Sequence, residues 1–315
     1  QSGEKGAWAG WIPALSAYQA KSAAEPVAPA KTTPDTGPAD SAAGPALDKA
    51  RVFTLLWQRV GKSEPPVWTQ AVEPLEMTAK LSVRQHDGES GVEQPSISPF
   101  SVRIGPGGGD PSLKQLENSI TGILKNHHGS LPHGVRVTIN NPEFERSLAS
   151  QKRHSLSAAA AVLASAAISG SDPDAVILGQ LDDNGAYKLP TAFWDKLQAL
   201  GKGGGQRLVL PAESAPYLMS VLALERPEFF IQYEVLLAAD FKQLLACCAR
   251  IPEPPLAEAT AEFRKIRERS GSQDVRQYIA NSFVKQRLSA VLQNAPNHAS
   301  AKLLLIQAAG SRPTT

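Results

Sequence analysis

Lys152-Arg-His-Ser-Leu-Ser-Ala-Ala-Ala-Ala-Val-Leu-Ala-Ser-Ala-Ala-Ile-Ser-Gly170 is the stretch on which the fold turns. It opens with basic and polar residues, sets Ser157 before a run of alanines and closes at Gly170, a natural helix C-cap. Alanine combines the best helix propensity with the smallest side chain, so this helix is built to lie close against other backbone. A serine at such a position has two readings. Its hydroxyl caps the first turn, or it is a nucleophile beside amides able to stabilise an oxyanion.

The elements around this helix follow from hydrophobic period. Upstream, Leu75, Met77, Ala79, Leu81 and Val83 alternate with polar partners, as do Phe100, Val102 and Ile104, which predicts two half-buried strands. Leu113, Leu116, Ile120, Ile123 and Leu124 form one face of a helix over 111–126, and Val135–Ile139 reads as a strand. Downstream, 175–181 reads as a strand and Asp182-Asp-Asn-Gly185 as a hairpin turn returning through Tyr187-Lys188. Thr191 is placed to cap a helix over 192–200. A short strand over 207–210, a helix over 214–224, a strand over 229–237 and a helix over 241–248 follow. This alternation predicts an α/β layer structure. Beyond Pro252-Glu-Pro-Pro255 the pattern is helical only, over 257–269, 274–293 and 299–309.

The chain has 315 residues, a formal net charge of +2 and 42% hydrophobic residues. The near-neutral balance supplies no general basic field, so nucleic acid is not an expected partner. No apolar run is long enough to span a bilayer, and 158–168 falls well short. The chain starts at Gln1 rather than methionine, which fits a signal peptide removed before it and export to a periplasmic or extracellular compartment. Residues 1–20 carry Trp8, Trp11, Ile12, Leu15 and Tyr18 as a short apolar segment, and 21–47 is an Ala/Pro-rich linker. Residues 48–251 make the main domain, and 252–315 a small helical appendage.

Other candidate sites read as structure. Gly61-Lys62-Ser63 ends like a phosphate-binding loop, but Leu56 stands where that loop needs glycine, and Pro65-Pro66 stops the following helix. The glycine-rich turn 105–110 lacks a nucleotide fingerprint and reads as a plain loop. His127, His128 and His133 read as solvated loop histidines, since no spaced carboxylate joins them as a metal set. Cys247-Cys248 cannot staple distant segments and reads as two small core residues. No metal or cofactor is expected.

From Leu75 to Ala249, a little over half the chain, the order of elements resembles the proteolytic domain of Lon-type serine-lysine proteases. That family has an Asp-Gly-Pro-Ser-Ala-Gly helix start, a Gly-Glu-Ile hairpin, a Gly-Gly-Leu-Lys helix start and a strand ending Ile-Pro-Lys-Glu-Asn. The corresponding residues are His154-Ser-Leu-Ser-Ala-Ala159, Gly179-Gln-Leu181, Thr191-Ala-Phe-Trp194 and Leu210-Pro-Ala-Glu-Ser214. The family's closing Val-Asp-x-Val-Leu pattern corresponds to Ala239-Asp-Phe-Lys-Gln-Leu-Leu245. The resemblance implies a Lon-protease-like fold, with Ser157 at the nucleophile and Trp194 at the position of the activating lysine. In the appendage, the junction Asn294–Leu305 resembles that of a tetratricopeptide repeat, with Ala299 and Ala301 where helices cross closely.

Serine is a weak nucleophile without a nearby base, and an indole only donates. His154 and Lys196 are the substitute bases, but residues two apart on a helix do not share a face, so Lys196 does not inherit the place of Trp194. Lys188, on the preceding strand, is no better placed. The expectation is therefore a degenerate Lon-like domain, acting as a non-catalytic scaffold, assembly or peptide-binding module. Its partner would be a polypeptide or further copies of the same chain. The alternative is an ATP-independent serine endopeptidase using Ser157. A third reading, a ring-forming or nucleic-acid-contacting domain of the same fold, has the charge balance against it.

Overall fold

Buried parallel strands need apolar side chains on both faces, and Leu208-Val209-Leu210 and Val235-Leu236-Leu237 meet that demand, each fully buried. They lie in a computed structural model that describes residues 50–54, 57–60, 67–70, 75–83, 99–105, 111–140, 154–200, 207–224 and 227–310. The strands are β1 (Ala50–Thr54), β2 (Trp57–Val60), β3 (Val67–Gln70), β4 (Leu75–Val83), β5 (Ser101–Ile104), β6 (Val135–Asn140), β7 (Val176–Ile177), β8 (Gln180–Leu181), β9 (Tyr187–Lys188), β10 (Arg207–Pro211) and β11 (Glu234–Ala238). The helices are α1 (Pro111–His128), α2 (Ser157–Ser169), α3 (Phe193–Ala199), α4 (Ala215–Leu224), α5 (Glu228–Gln232), α6 (Phe241–Cys248), α7 (Pro254–Ser270), α8 (Val275–Ala280), α9 (Ser282–Asn294) and α10 (Ala299–Ala308).

Seven strands form one sheet in the order β11-β10-β7-β1-β4-β6-β5. The pairings β10–β11, β7–β10, β1–β7 and β5–β6 are parallel, whereas β4 runs antiparallel to both β1 and β6. Six strands therefore point one way and β4 alone opposes them. The chain is an α/β structure.

Helix α2 lies on β1, β4 and β6, and α1 and α6 pack on it in turn. Every residue from Ser157 to Ala167 is buried. A helix apolar on all sides belongs inside a protein, and alanine lets it approach the sheet closely. Gly170 ends it in a left-handed conformation at φ 70°, with its N–H on the Ala166 carbonyl at 2.9 Å.

Several expected elements change form, each for a local reason. Helix α1 runs on through His127 and His128, so these histidines are helical rather than loop residues. The strand expected over 175–181 divides into β7, in the main sheet, and β8, which pairs with β9. The division falls at Leu178-Gly179, where the Tyr187 ring lies in the space a side chain on Gly179 would need. Thr191 is not the cap of α3: the N-cap is Ala192, at φ 53° and without a side-chain bond. The strand expected over 229–237 begins as helix α5. Phe229 meets Phe230 and Tyr233 at ring separations of 5.2 and 5.0 Å, and this helical clustering outweighs the β preference of the aromatics. The helix expected over 274–293 breaks at Asn281, whose extended backbone separates α8 from α9 and whose side chain accepts the Phe283 amide at 2.9 Å.

The helices beyond residue 252 meet the sheet along β11. Leu237 N–H donates to the Asn297 carbonyl at 3.0 Å, and Asn297 Nδ2 donates to the Leu237 carbonyl at 2.8 Å. Ser300 Oγ accepts the Val235 amide at 2.9 Å and donates to the Tyr233 carbonyl at 2.7 Å. An open sheet edge invites pairing with other chains, and here the start of α10 covers it. Ala299 and Ala301 are fully buried at that crossing. The expected apolar segment 1–20, the linker 21–47, the turn after Gly105, Gly61-Lys62-Ser63 and Lys152-Arg153 lie outside the described residues.

Candidate functional site

A helical turn of 3₁₀ type, His154–Leu156, leads into α2. Ser157 follows as the first residue of the helix, 1% exposed. Its Oγ accepts the Leu181 amide at 2.7 Å, with the His154 carbonyl at 2.7 Å and the Leu181 carbonyl at 3.3 Å as acceptors for its proton. A hydroxyl has one proton, and the nearer carbonyl, that of His154, takes it. The N-cap is Leu156, without a side-chain cap bond, so Ser157 does not cap its own helix. Among the described residues its hydrogen bonds all run to main-chain groups. They join the start of α2 to β8.

The hairpin that receives this bond is itself held firmly. Asp182 Oδ1 accepts the amides of Asn184 at 3.0 Å and Ala186 at 2.8 Å, an Asx arrangement that shapes the turn. Gly185 supplies the positive φ of 80° that the turn requires. Tyr187 N–H donates to the Ala239 carbonyl and Phe241 N–H to the Gly185 carbonyl, which fix the hairpin to the start of α6. That helix is capped by Asp240, which accepts the Gln243 amide at 2.8 Å.

The other sequence candidates sit as follows. His154 is exposed, and it is its carbonyl, not its ring, that meets Ser157. Trp194, on α3, is half-buried and packs against the apolar core. Lys196, two positions further along α3, is 2% exposed. Lys188 reaches away to Glu213, Nζ to Oε1 at 2.8 Å, and this partner holds its ammonium above the usual lysine range. Cys247 and Cys248 are free and buried. Burial pushes the Cys247 thiol up to about 12 and raises that of Cys248 as well, so neither is a ready thiolate. Among the described residues no group of three or more His, Cys, Asp or Glu side chains is arranged to hold a metal ion. No helix among them is long and apolar enough to cross a membrane.

On the far half of α2, His128, expected as a solvated loop histidine, meets Ser165, a residue the sequence did not single out. His128 Nε2 lies 3.0 Å from Ser165 Oγ, and both border a cleft of about 150 Å3 between α1, α2 and α6. Extending the apolar face of α1 by one half-turn was the signal that would have placed His128 there. Compared with known proteins, the chain matches no family model and no curated protein.

Proposed function

We propose that this chain is a catalytically degenerate Lon-like module that serves as a non-catalytic scaffold, assembly or peptide-binding unit. The observation that carries this reading is the state of Ser157: its hydroxyl is buried and engaged by the main chain of His154 and Leu181. A serine nucleophile needs a base positioned to take its proton. The Ser157 proton instead goes to a carbonyl, which cannot serve as one. The half-buried indole of Trp194, where the resembling family carries its lysine, supports the same conclusion.

The competing reading, a peptidase using Ser157, requires that these main-chain bonds be broken and that a base take the proton in place of the carbonyl. Incubation of the purified chain with an unfolded protein substrate, alongside Ser157→Ala, separates the two. The scaffold reading expects no cleavage from either protein. Cleavage by the wild type that disappears in Ser157→Ala would falsify it.

A further inference from the structure

The cleft between α1, α2 and α6 is bordered by His127, His128, Ser165, Ser169, Asp172 and Leu245. Its volume of about 150 Å3 is below that of a pocket for a drug-sized ligand, roughly 300–1,000 Å3, and suits a small polar or acyl group. Ser165 is 3% exposed. A buried hydroxyl needs an acceptor for its proton, and serines inside helices commonly use the carbonyl one turn back. Ser165 does not. Among the described residues its one hydrogen-bond partner is Nε2 of His128, at 3.0 Å. In the tautomer that carries the ring proton on Nδ1, the hydroxyl donates and Nε2 accepts.

The imidazole is held in place. His127 stands edge-on to it at 4.8 Å and 86°, and His127 is in turn edge-on to Phe241 at 5.3 Å. Burial, and then the neighbouring His127, keep the His128 pKa below the ordinary imidazole value, so the ring is neutral at pH 7. Hydroxyl, neutral base and open space meet at one point.

We propose that Ser165 and His128 form a nucleophile–base pair that takes up a small acyl group from an activated ester entering this cleft. Ser165 Oγ bonds to the ester carbonyl carbon while its proton passes to His128 Nε2. The carbon–oxygen bond to the leaving group breaks, and the departing alcohol takes the proton from Nε2. The products are acyl-Ser165 and a free alcohol, with no change of oxidation state. Ser165 lies roughly two helical turns from Ser157, so this pair is independent of the Lon-like reading.

The test is exposure of the full chain to p-nitrophenyl acetate, followed by intact mass measurement and peptide mapping. The expected result is one acetyl group on Ser165, absent in Ser165→Ala and slowed by about a hundredfold or more in His128→Gln, the scale of a lost general base. Uptake should fall as pH drops through a midpoint below the ordinary histidine value. Both variants should keep the wild-type circular dichroism, alanine being the best residue for a helix interior. An unmodified Ser165, or acetylation at an equal rate in folded His128→Gln, overturns the proposal. Acetylation of Ser157 in place of Ser165 overturns it too, and in addition removes the reading of Ser157 as a serine held by the main chain.

Discussion

Leu237 and Asn297 bind each other twice, main-chain amide to main-chain carbonyl at 3.0 Å and side-chain amide to main-chain carbonyl at 2.8 Å. The pair joins the last parallel strand to the turn before α10, so the C-terminal helices complete the sheet edge. Asn297→Ala leaves the buried Leu237 carbonyl without its side-chain donor, a loss of about 1–3 kcal/mol. Urea denaturation should show the free energy of unfolding falling by that amount, with a correspondingly lower midpoint. Removal of the chain from residue 295 onward should go further and give soluble aggregates by light scattering, because β11 then becomes an open edge.

Behind that pair lies a buried charge network. Arg207 Nε is 3.4 Å from Glu234 Oε2, and His298 Nε2 is 3.5 Å from Glu234 Oε1. Arg207 also donates to the carbonyls of Cys247 at 3.3 Å and Ala249 at 2.9 Å. For Glu234 desolvation is the largest influence and raises its pKa, but His298 and Arg207 together outweigh it and the net shift is downward. A carboxylate depressed in the folded state contributes stability above its unfolded pKa and loses it as pH falls through the folded value. Wild-type stability should therefore decline below about pH 4.5, the ordinary value for this carboxyl. The decline should be shallower in Glu234→Gln. Glu234→Ala strands the Arg207 charge in the core and should cost about 3–5 kcal/mol at neutral pH. Denaturation at a series of pH values measures both.

Gly179 and Tyr187 occupy one space. A Cβ on Gly179 would fall well inside contact distance of the Tyr187 ring, whose hydroxyl donates to the Val209 carbonyl at 3.0 Å. Gly179→Ala should destabilise by about 1–3 kcal/mol, the scale of core overpacking. The double change Gly179→Ala with Tyr187→Leu should cost less than the sum of the two single changes, a coupling that a double-mutant cycle reads directly.

The paired thiols should be silent in the folded chain. Cys247 Sγ accepts from Asn297 Nδ2 at 3.3 Å, and burial holds both thiols in the protonated form. Alkylation by iodoacetamide at pH 8 should modify neither cysteine in the native protein and both in urea. Modification of the native chain at the rate of the unfolded one would show that the packing of α6 against β10 and β11 is wrong.

What the sequence made legible was the part governed by local pattern. The alternation over 100–104 reads as strand because Phe100, Val102 and Ile104 are buried on one face, the same period marks 75–83, and the alanine run from 158 reads as helix because nothing else suits it. The Asp182–Gly185 turn is equally local. What escaped depends on partners distant in the chain. Nothing near Gly179 announces Tyr187, and nothing in Phe229-Phe230 announces the ring of Tyr233 stacked one turn on. Ser157 was legible as a residue of consequence but not in its role, because the Leu181 amide that it binds lies 24 residues away.

That bond separates a structural Ser157 from a catalytic one. If Ser157 were kept for chemistry, Ser157→Ala should leave the fold untouched, as removal of a nucleophile usually does. If it is kept for structure, the same change deprives the Leu181 amide of its acceptor and frees the His154 turn from the start of α2. An unsatisfied buried amide costs about 1–3 kcal/mol, partly offset by the better helix propensity of alanine, about 0.5 kcal/mol. The expected result is a loss of roughly 1–2 kcal/mol in urea denaturation, with faster amide exchange at Leu181 than elsewhere in the hairpin. Ser157→Thr retains the hydroxyl but adds a methyl group at a site that is 1% exposed, so it should not restore the wild-type midpoint. An unchanged midpoint and unchanged exchange in Ser157→Ala would return Ser157 to the catalytic reading, since a buried serine with no structural effect would then need another reason to be there.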